Sequence, residues 1–395
     1  MKKTFKLSIL LILSLTMAIA VFGCTRKTPD KPTTPEKQTE QKKPDKVEKP
    51  EEKRDKETES LFDLTLRDDG NYEVKSYKGF REEATIPSEY KGKKVVGIES
   101  NAFENSSIES ITIPWTVEWI DYGAFKDCKN LKSLTLNEGL KEIGQFAFTC
   151  TSIKSITIPS TVVKIGRDAF SYCKNLKTVT LNEGLNEIGY SAFYNTSIET
   201  ITIPGTVNDI AGYAFSHCEK LKEVILKEGL SEIGKRAFME SSIERITIPS
   251  SVEKIGDEAF YNCRNLKKVI LKEGLSEIGE GAFMGSSIER ITIPSTVDVI
   301  AYKAFYDCEN LETVRLNEGL KRIGTFAFTR TSIRSITIPS TVDRIDKNAF
   351  VSCPKLTRID CKLKKSYVEA NKSDFSGLLL DEIIIYYSKI NWLNG

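Results

Sequence analysis

The sequence predicts an α/β-type solenoid, a stack of about twelve coils of 22 or 23 residues with one long parallel β-sheet and a cap at each end. Three observations predict it. The dipeptide Ala-Phe recurs from Phe103 to Phe350 at spacings that alternate between 22 and 23 residues. Pro114, Pro159, Pro204, Pro249, Pro294 and Pro339 recur every 45 residues, as do Cys128, Cys173, Cys218, Cys263, Cys308 and Cys353, so the true unit is a pair of coils. Apolar residues hold fixed offsets inside each coil, the mark of units that bury one face against their neighbours.

From the N-terminus, residues 1–23 read as a lipoprotein signal peptide. Lys2, Lys3 and Lys6 make a basic start, and Leu7 to Phe22 form an uncharged apolar run shorter than the ~20 residues a membrane-spanning helix needs. The stretch Val21-Phe22-Gly23-Cys24 resembles the bacterial lipobox, which implies lipidation at Cys24. Residues 24–60 read as a disordered tether. From residue 25 they carry eleven Lys/Arg, ten Asp/Glu and five prolines, with Val47 as the only sizeable apolar side chain. Such a segment buries too little surface to offset its ordering entropy.

Residues 61–98 read as a cap hairpin and lead-in coil: Phe62, Leu64 and Leu66 alternate with polar residues, and Asp69-Gly70 turns the chain into Tyr72 and Val74. The repeat proper is 99–361. In one coil Cys128, Leu131, Leu134, Leu140, Ile143 and Phe148 are apolar among mostly polar neighbours. Leu134-Thr135-Leu136 alternates with period two and reads as a short strand. Asn137-Glu138-Gly139 then turns the chain, whereas in the alternate coil Ile113-Pro114 ends the strand, since proline cannot donate to a ladder. Residues 362–395, with an apolar stretch from Leu378 to Tyr387 and Trp392 beyond, read as the C-terminal cap.

The coil pattern Cys/Asn-x-x-Leu-x-x-Ile-x-Leu-Pro/Asn-x-x-Leu-x-x-Ile-Gly-x-x-Ala-Phe resembles the leucine-rich repeat of the bacterial surface antigen BspA-like family, also called the Treponema-type repeat, over about residues 80–361. The resemblance implies a leucine-rich repeat horseshoe or right-handed coil stack. It also implies a cell-surface adhesin that binds proteins, either host extracellular-matrix proteins such as fibronectin and fibrinogen or those of other cells. The alternative is a structural envelope or colony-matrix protein without a specific host ligand. Either way the chain is expected to be exported, to meet the membrane only through its lipid, and to be a monomer.

Composition narrows the chemistry. With 57 Lys+Arg against 55 Asp+Glu, a net charge of +2 lacks the broad basic footprint of a nucleic-acid binder. A triad, relay or zinc cluster would have to be built around His217 alone. No phosphate loop, nucleophile elbow or paired metal motif is present, so neither catalysis nor a cofactor or metal is expected. Six of the nine cysteines share one column, two coils or ~9.6 Å apart, beyond the ~7 Å reach of a disulfide. They read as buried space-fillers, Cys361 as a further core position and Cys150 as a loop thiol.

Two outward strand columns are candidate binding surfaces. The central one runs through Thr112, Thr135, Thr157, Thr180, Thr202, Ile225, Thr247, Ile270, Thr292, Arg315, Thr337 and Asp360. Its partner is hydroxyl-rich at first and then gains Arg245, Lys268 and Arg290. Threonine suits any half-exposed strand, whereas Arg245, Lys268, Arg290 and Arg315 could pair with acidic partners. Trp115 and Trp119 break columns that elsewhere hold mostly small or polar residues, with Tyr122 close by. They read either as an interface anchor or as packing beneath the N-terminal hairpin.

Overall fold

The computed structural model describes residues 50–79, 81–373, 376 and 384–387. The signal peptide, Cys24 and most of the tether lie outside the described residues, as do Leu378 and Trp392 of the C-terminal cap.

The chain winds into a parallel β-solenoid of about 13 coils. Each coil contributes a strand of three or four residues, such as Arg245–Ile248, and a two-residue strand, such as Lys254–Ile255. The longer strands stack in the register that the repeat spacing predicts, with Thr202 opposite Ile225, Thr247 opposite Ile270 and Thr292 opposite Arg315. Their ladder is not one uninterrupted sheet. An eight-stranded central segment from Ser155–Thr157 to Thr313–Leu316 is flanked by two three-stranded segments. The two-residue strands form the longer ladder, running from the N-terminal hairpin to Arg344–Ile345. A two-residue strand leaves no alternation to read, which is why periodicity did not reveal this ladder.

Helix is nearly absent. Among the described residues it is confined to Pro50–Leu61 and Lys365–Ala370. The side of the coil that carries Ala-Phe is built from turns instead, because left-handed residues flank that dipeptide. Asp168 (φ 53°) and Tyr172 (φ 58°) enclose Ala169-Phe170-Ser171, and Tyr213 with His217 do the same one pair later. A left-handed residue every fourth position forbids a right-handed helix. The freed N–H groups bond to the next coil: Asp168 to the Tyr190 carbonyl (2.9 Å), Phe170 to Ala192 (2.8 Å) and Tyr172 to Tyr194 (2.8 Å).

The phenylalanines form the spine. From Phe103 to Phe350 neighbouring rings stack with centroids 4.5 to 5.6 Å apart, and all are essentially buried. Most of these steps exceed the ~4.8 Å spacing of strands. Tyr77 of the hairpin Phe62–Leu66/Tyr72–Tyr77 stacks on Phe103 at 5.1 Å, which closes the first coil.

Helix Pro50–Leu61 falls in and just after the segment whose composition predicts disorder. The composition omits what the helix docks on. Leu61 is buried, Tyr90 Oη donates to Glu59 (2.5 Å), and Glu59 and Glu57 pair with Lys91 (2.9 Å) and Arg81 (3.0 Å).

Each Asn/Lys-Glu-Gly turn clamps the following coil. Glu228 accepts from Ser250 Oγ (3.1 Å), from the Ser251 N–H (3.1 Å) and from Lys272 (2.8 Å), and Glu138, Glu273 and Glu318 likewise accept from the serine that follows the next coil's proline. The glycine beside it has no room for a side chain: at Gly229 (φ +120°) a Cβ would lie 2.0 Å from the Gly205 carbonyl oxygen. Lys272, followed by the Ser250 and Ser251 donors, pulls the Glu228 carboxyl down to about 2. A depressed carboxyl stabilises the fold above its unfolded pKa of ~4.3 and loses that contribution as pH falls through the folded value. The midpoint of thermal unfolding should therefore fall between about pH 4.5 and 2. Glu228→Gln should flatten that fall, and an unchanged slope would count against the clamp.

The cysteine column is buried as expected except at its last member, Cys353, which is half-buried near the end of the stack. Cys128, Cys173, Cys218, Cys263 and Cys308 are fully buried, and each thiol donates to the phenylalanine carbonyl of the preceding coil, as Cys173 does to Phe148 at 3.0 Å. A Ser or Thr hydroxyl of the intervening coil lies beside each sulfur, Thr151 being 3.1 Å from Cys173. Burial pushes the Cys173, Cys263 and Cys308 thiols up to about 12. A thiol reagent should thus reach half-buried Cys150 in the folded chain and these five only on unfolding. Rapid labelling of Cys218 in native buffer would contradict this packing.

Candidate functional site

The strand face holds the candidate site because strand alternation sends every second side chain out of the core. Val224, Ile246, Val269, Ile291 and Val314 are buried, whereas Arg245, Lys268, Arg290 and Arg315 between them are exposed. The ladder register lines up Glu223, Arg245, Lys268, Arg290 and Thr313 on five successive coils. Arg315 sits in the adjoining row, opposite Thr292.

Only the first cation of this row meets a counter-charge. Arg245 pairs with Glu223 at 3.6 Å, while Lys268, Arg290 and Arg315 have no acidic partner among the described residues. Elsewhere the surface pairs freely, with Lys227 on Glu183 (2.5 Å), Lys272 on Glu228 (2.8 Å) and Lys362 on Glu318 (2.7 Å). Like charges directly opposite on neighbouring strands destabilise a sheet, so the row gains the free chain nothing.

Open grooves run along the same face. One is lined by Lys268, Ile270, Arg290, Thr292 and Arg315, with Glu289 and Glu318 also in its wall, and a second by Glu223, Ile225, Arg245, Thr247 and Lys268. They share Lys268 and Ile270, so together they make one track across five coils. Its apolar positions are Ile225 and Ile270, which are 50% and 43% exposed where most other coils carry threonine. Their departure from the threonine column is visible in the sequence, but only their exposure beside the cationic row marks them as part of the surface.

The aromatic candidates separate. Trp119 packs beneath the N-terminal hairpin: the Arg67 guanidinium covers its ring at 4.6 Å, and its indole fills the space at Gly97 that a Cβ would need. Trp115 is 61% exposed, with only the Lys94 ammonium over it at 5.6 Å. Tyr122 is exposed and meets Phe146 edge-on at 5.4 Å. The three rings each meet a different neighbour: Arg67, Lys94 and Phe146. His217 lies on the turn side, with Nδ1 3.1 Å from Glu240 and its ring edge-on to Tyr194.

A parallel stack of repeats with an open and charged strand face defines a leucine-rich repeat scaffold. The BspA type leucine rich repeat region matches the sequence in six copies, over residues 96–222, 191–312 and 276–391, and the chain belongs to this family. Its members are repeat scaffolds that as a rule bind proteins. No curated protein matches the chain. Among solved structures it is similar to a leucine-rich repeat protein from Bacteroides ovatus, at 26% identity and a TM-score of 0.63, over 83% of this chain and 98% of that one. It also shares its fold with the pneumococcal vaccine antigen PcpA, at 22% identity and a TM-score of 0.53, over 84% of this chain and 92% of that one.

Proposed function

We propose that this chain is a cell-surface lipoprotein, lipidated at Cys24, whose solenoid acts as an adhesin for proteins of the host extracellular matrix or of other cells. The observation that carries the reading is the row Lys268, Arg290 and Arg315 in an open groove, three cations with no ion-pair partner among the described residues and so available to an acidic partner. Arginine offers its planar fork to carboxylates, and exposed pairs of this kind weaken with salt.

Solid-phase binding of the purified chain to fibronectin, fibrinogen and intact cells tests the reading. Saturable binding that weakens at high salt is expected. Absence of binding to every one of these would leave the structural-envelope alternative. Loss of binding on Trp115→Ala, in a protein still folded, would move the site to the first coils. Lipid labelling should disappear on Cys24→Ala, and its persistence would refute the anchor.

A further inference from the structure

The geometry points to a specific kind of segment in the groove: an acidic stretch of polyproline II backbone, lying along the solenoid axis, with an apolar side chain at every third residue. This deepens the reading of the strand face as a protein-binding surface and rests on it.

The groove has two parallel rows with different chemistry. One is cationic, with Arg245, Lys268 and Arg290 on successive coils. The other reads Ile225, Thr247, Ile270, Thr292, Arg315, so its exposed apolar side chains recur on every second coil and then give way to a cation. A ligand must therefore carry negative charge beside apolar groups. The isoleucines disfavour a uniformly charged polysaccharide, which has nothing to set against them.

The spacing selects the backbone. Two coils correspond to ~9.6 Å at the usual strand separation. One turn of polyproline II is three residues at ~3.1 Å each, or ~9.3 Å, so residues i and i+3 point the same way and meet successive isoleucines. A β-strand repeats its facing side chains every ~6.7 Å and falls out of step after one interval. Over the same turn the cationic row presents two positive groups. Proline-containing segments are also already extended when free, which reduces the ordering cost of binding.

The test uses the full chain and fluorescein-labelled twelve-residue peptides read by anisotropy. Four Val-Glu-Pro triplets should bind saturably and lose roughly tenfold or more in affinity as salt rises from about 50 to 500 mM. Lys268→Ala with Arg290→Ala should weaken binding by roughly tenfold. Ile225→Thr with Ile270→Thr should weaken it several-fold, and these changes restore the residue that most other coils carry there, so the stack is kept. Ser-Glu-Pro repeats should bind as weakly to the parent as Val-Glu-Pro repeats bind to the threonine variant, and Val-Lys-Pro repeats should not bind.

Three results would overturn the inference. Alternating Val-Glu peptides could bind more tightly than the triplet repeats. Heparin could bind more tightly than any peptide, with affinity lost on the alanine changes and untouched by the threonine changes, which would assign the groove to an anionic polysaccharide. Or matrix proteins could bind through Lys268 and Arg290 while no peptide does, which removes this inference and leaves the adhesin reading standing. Failure of all protein binding would remove both.

Discussion

Phe215→Ala should lower the unfolding free energy by about 3–5 kcal/mol and divide one unfolding transition into two. Phe215 is fully buried, with Phe193 stacked on one side at 5.3 Å and Phe238 on the other at 5.5 Å. The backbone around it is held by bonds to the next coil, such as Phe215 N–H to the Ala237 carbonyl at 2.8 Å, so the coils cannot close over the void. A solenoid couples its two halves only through neighbouring coils, so a void in the middle weakens the one interface that makes the array cooperative. Phe350→Ala, near the last coil, should cost less because the end can fray without dividing the stack. Urea unfolding followed by circular dichroism measures both. Equal costs at the two positions, or a cost below about 1 kcal/mol at Phe215, would mean that the phenylalanine spine does not hold the fold together.

The joint change Arg245→Ala, Lys268→Ala and Arg290→Ala should weaken partner binding roughly ten- to a hundredfold, at ~0.5–1 kcal/mol for each exposed cation. The same variant should melt no lower than the parent. Among the described residues only Arg245 of the three has an acidic partner, a single exposed pair at 3.6 Å, and removing three in-register positive charges relieves repulsion. Binding and stability are thus expected to part company. A loss of stability that matches the loss of binding would assign these residues to the fold, and unchanged binding would take the site elsewhere. Because exposed pairs are screened, the difference between parent and variant should shrink as salt rises.

Much of this was legible in the sequence because a repeat states its packing rules many times over. The Ala-Phe spacing located the spine, and outward positions such as Thr247 and Lys268 followed from strand alternation. What escaped were features that composition and periodicity do not encode. The paired left-handed residues, such as Asp168 and Tyr172, differ in type from coil to coil and left no pattern, although they replace helix with turns. The Glu228 clamp links residues on three coils, so no local window contains it. The charged helix Pro50–Leu61 depends on docking against Arg81, Tyr90 and Lys91. Trp119 belongs to the N-terminal packing, which only the position of Arg67 and Gly97 decides. The unpaired state of Lys268, Arg290 and Arg315 likewise required the positions of every nearby acid.

The most direct test of the strand face as the binding surface is a side-chain footprint. Lysine acetylation and arginine phenylglyoxal labelling, read by mass spectrometry with and without a saturating bound protein, report each exposed cation separately. The account predicts strong protection of Lys268, Arg290 and Arg315 and unchanged labelling of two cations beside the Ala-Phe turns, exposed Arg167 and half-buried Lys303. Protection of Arg167 and Lys303 with full labelling of Lys268 and Arg290 would contradict it.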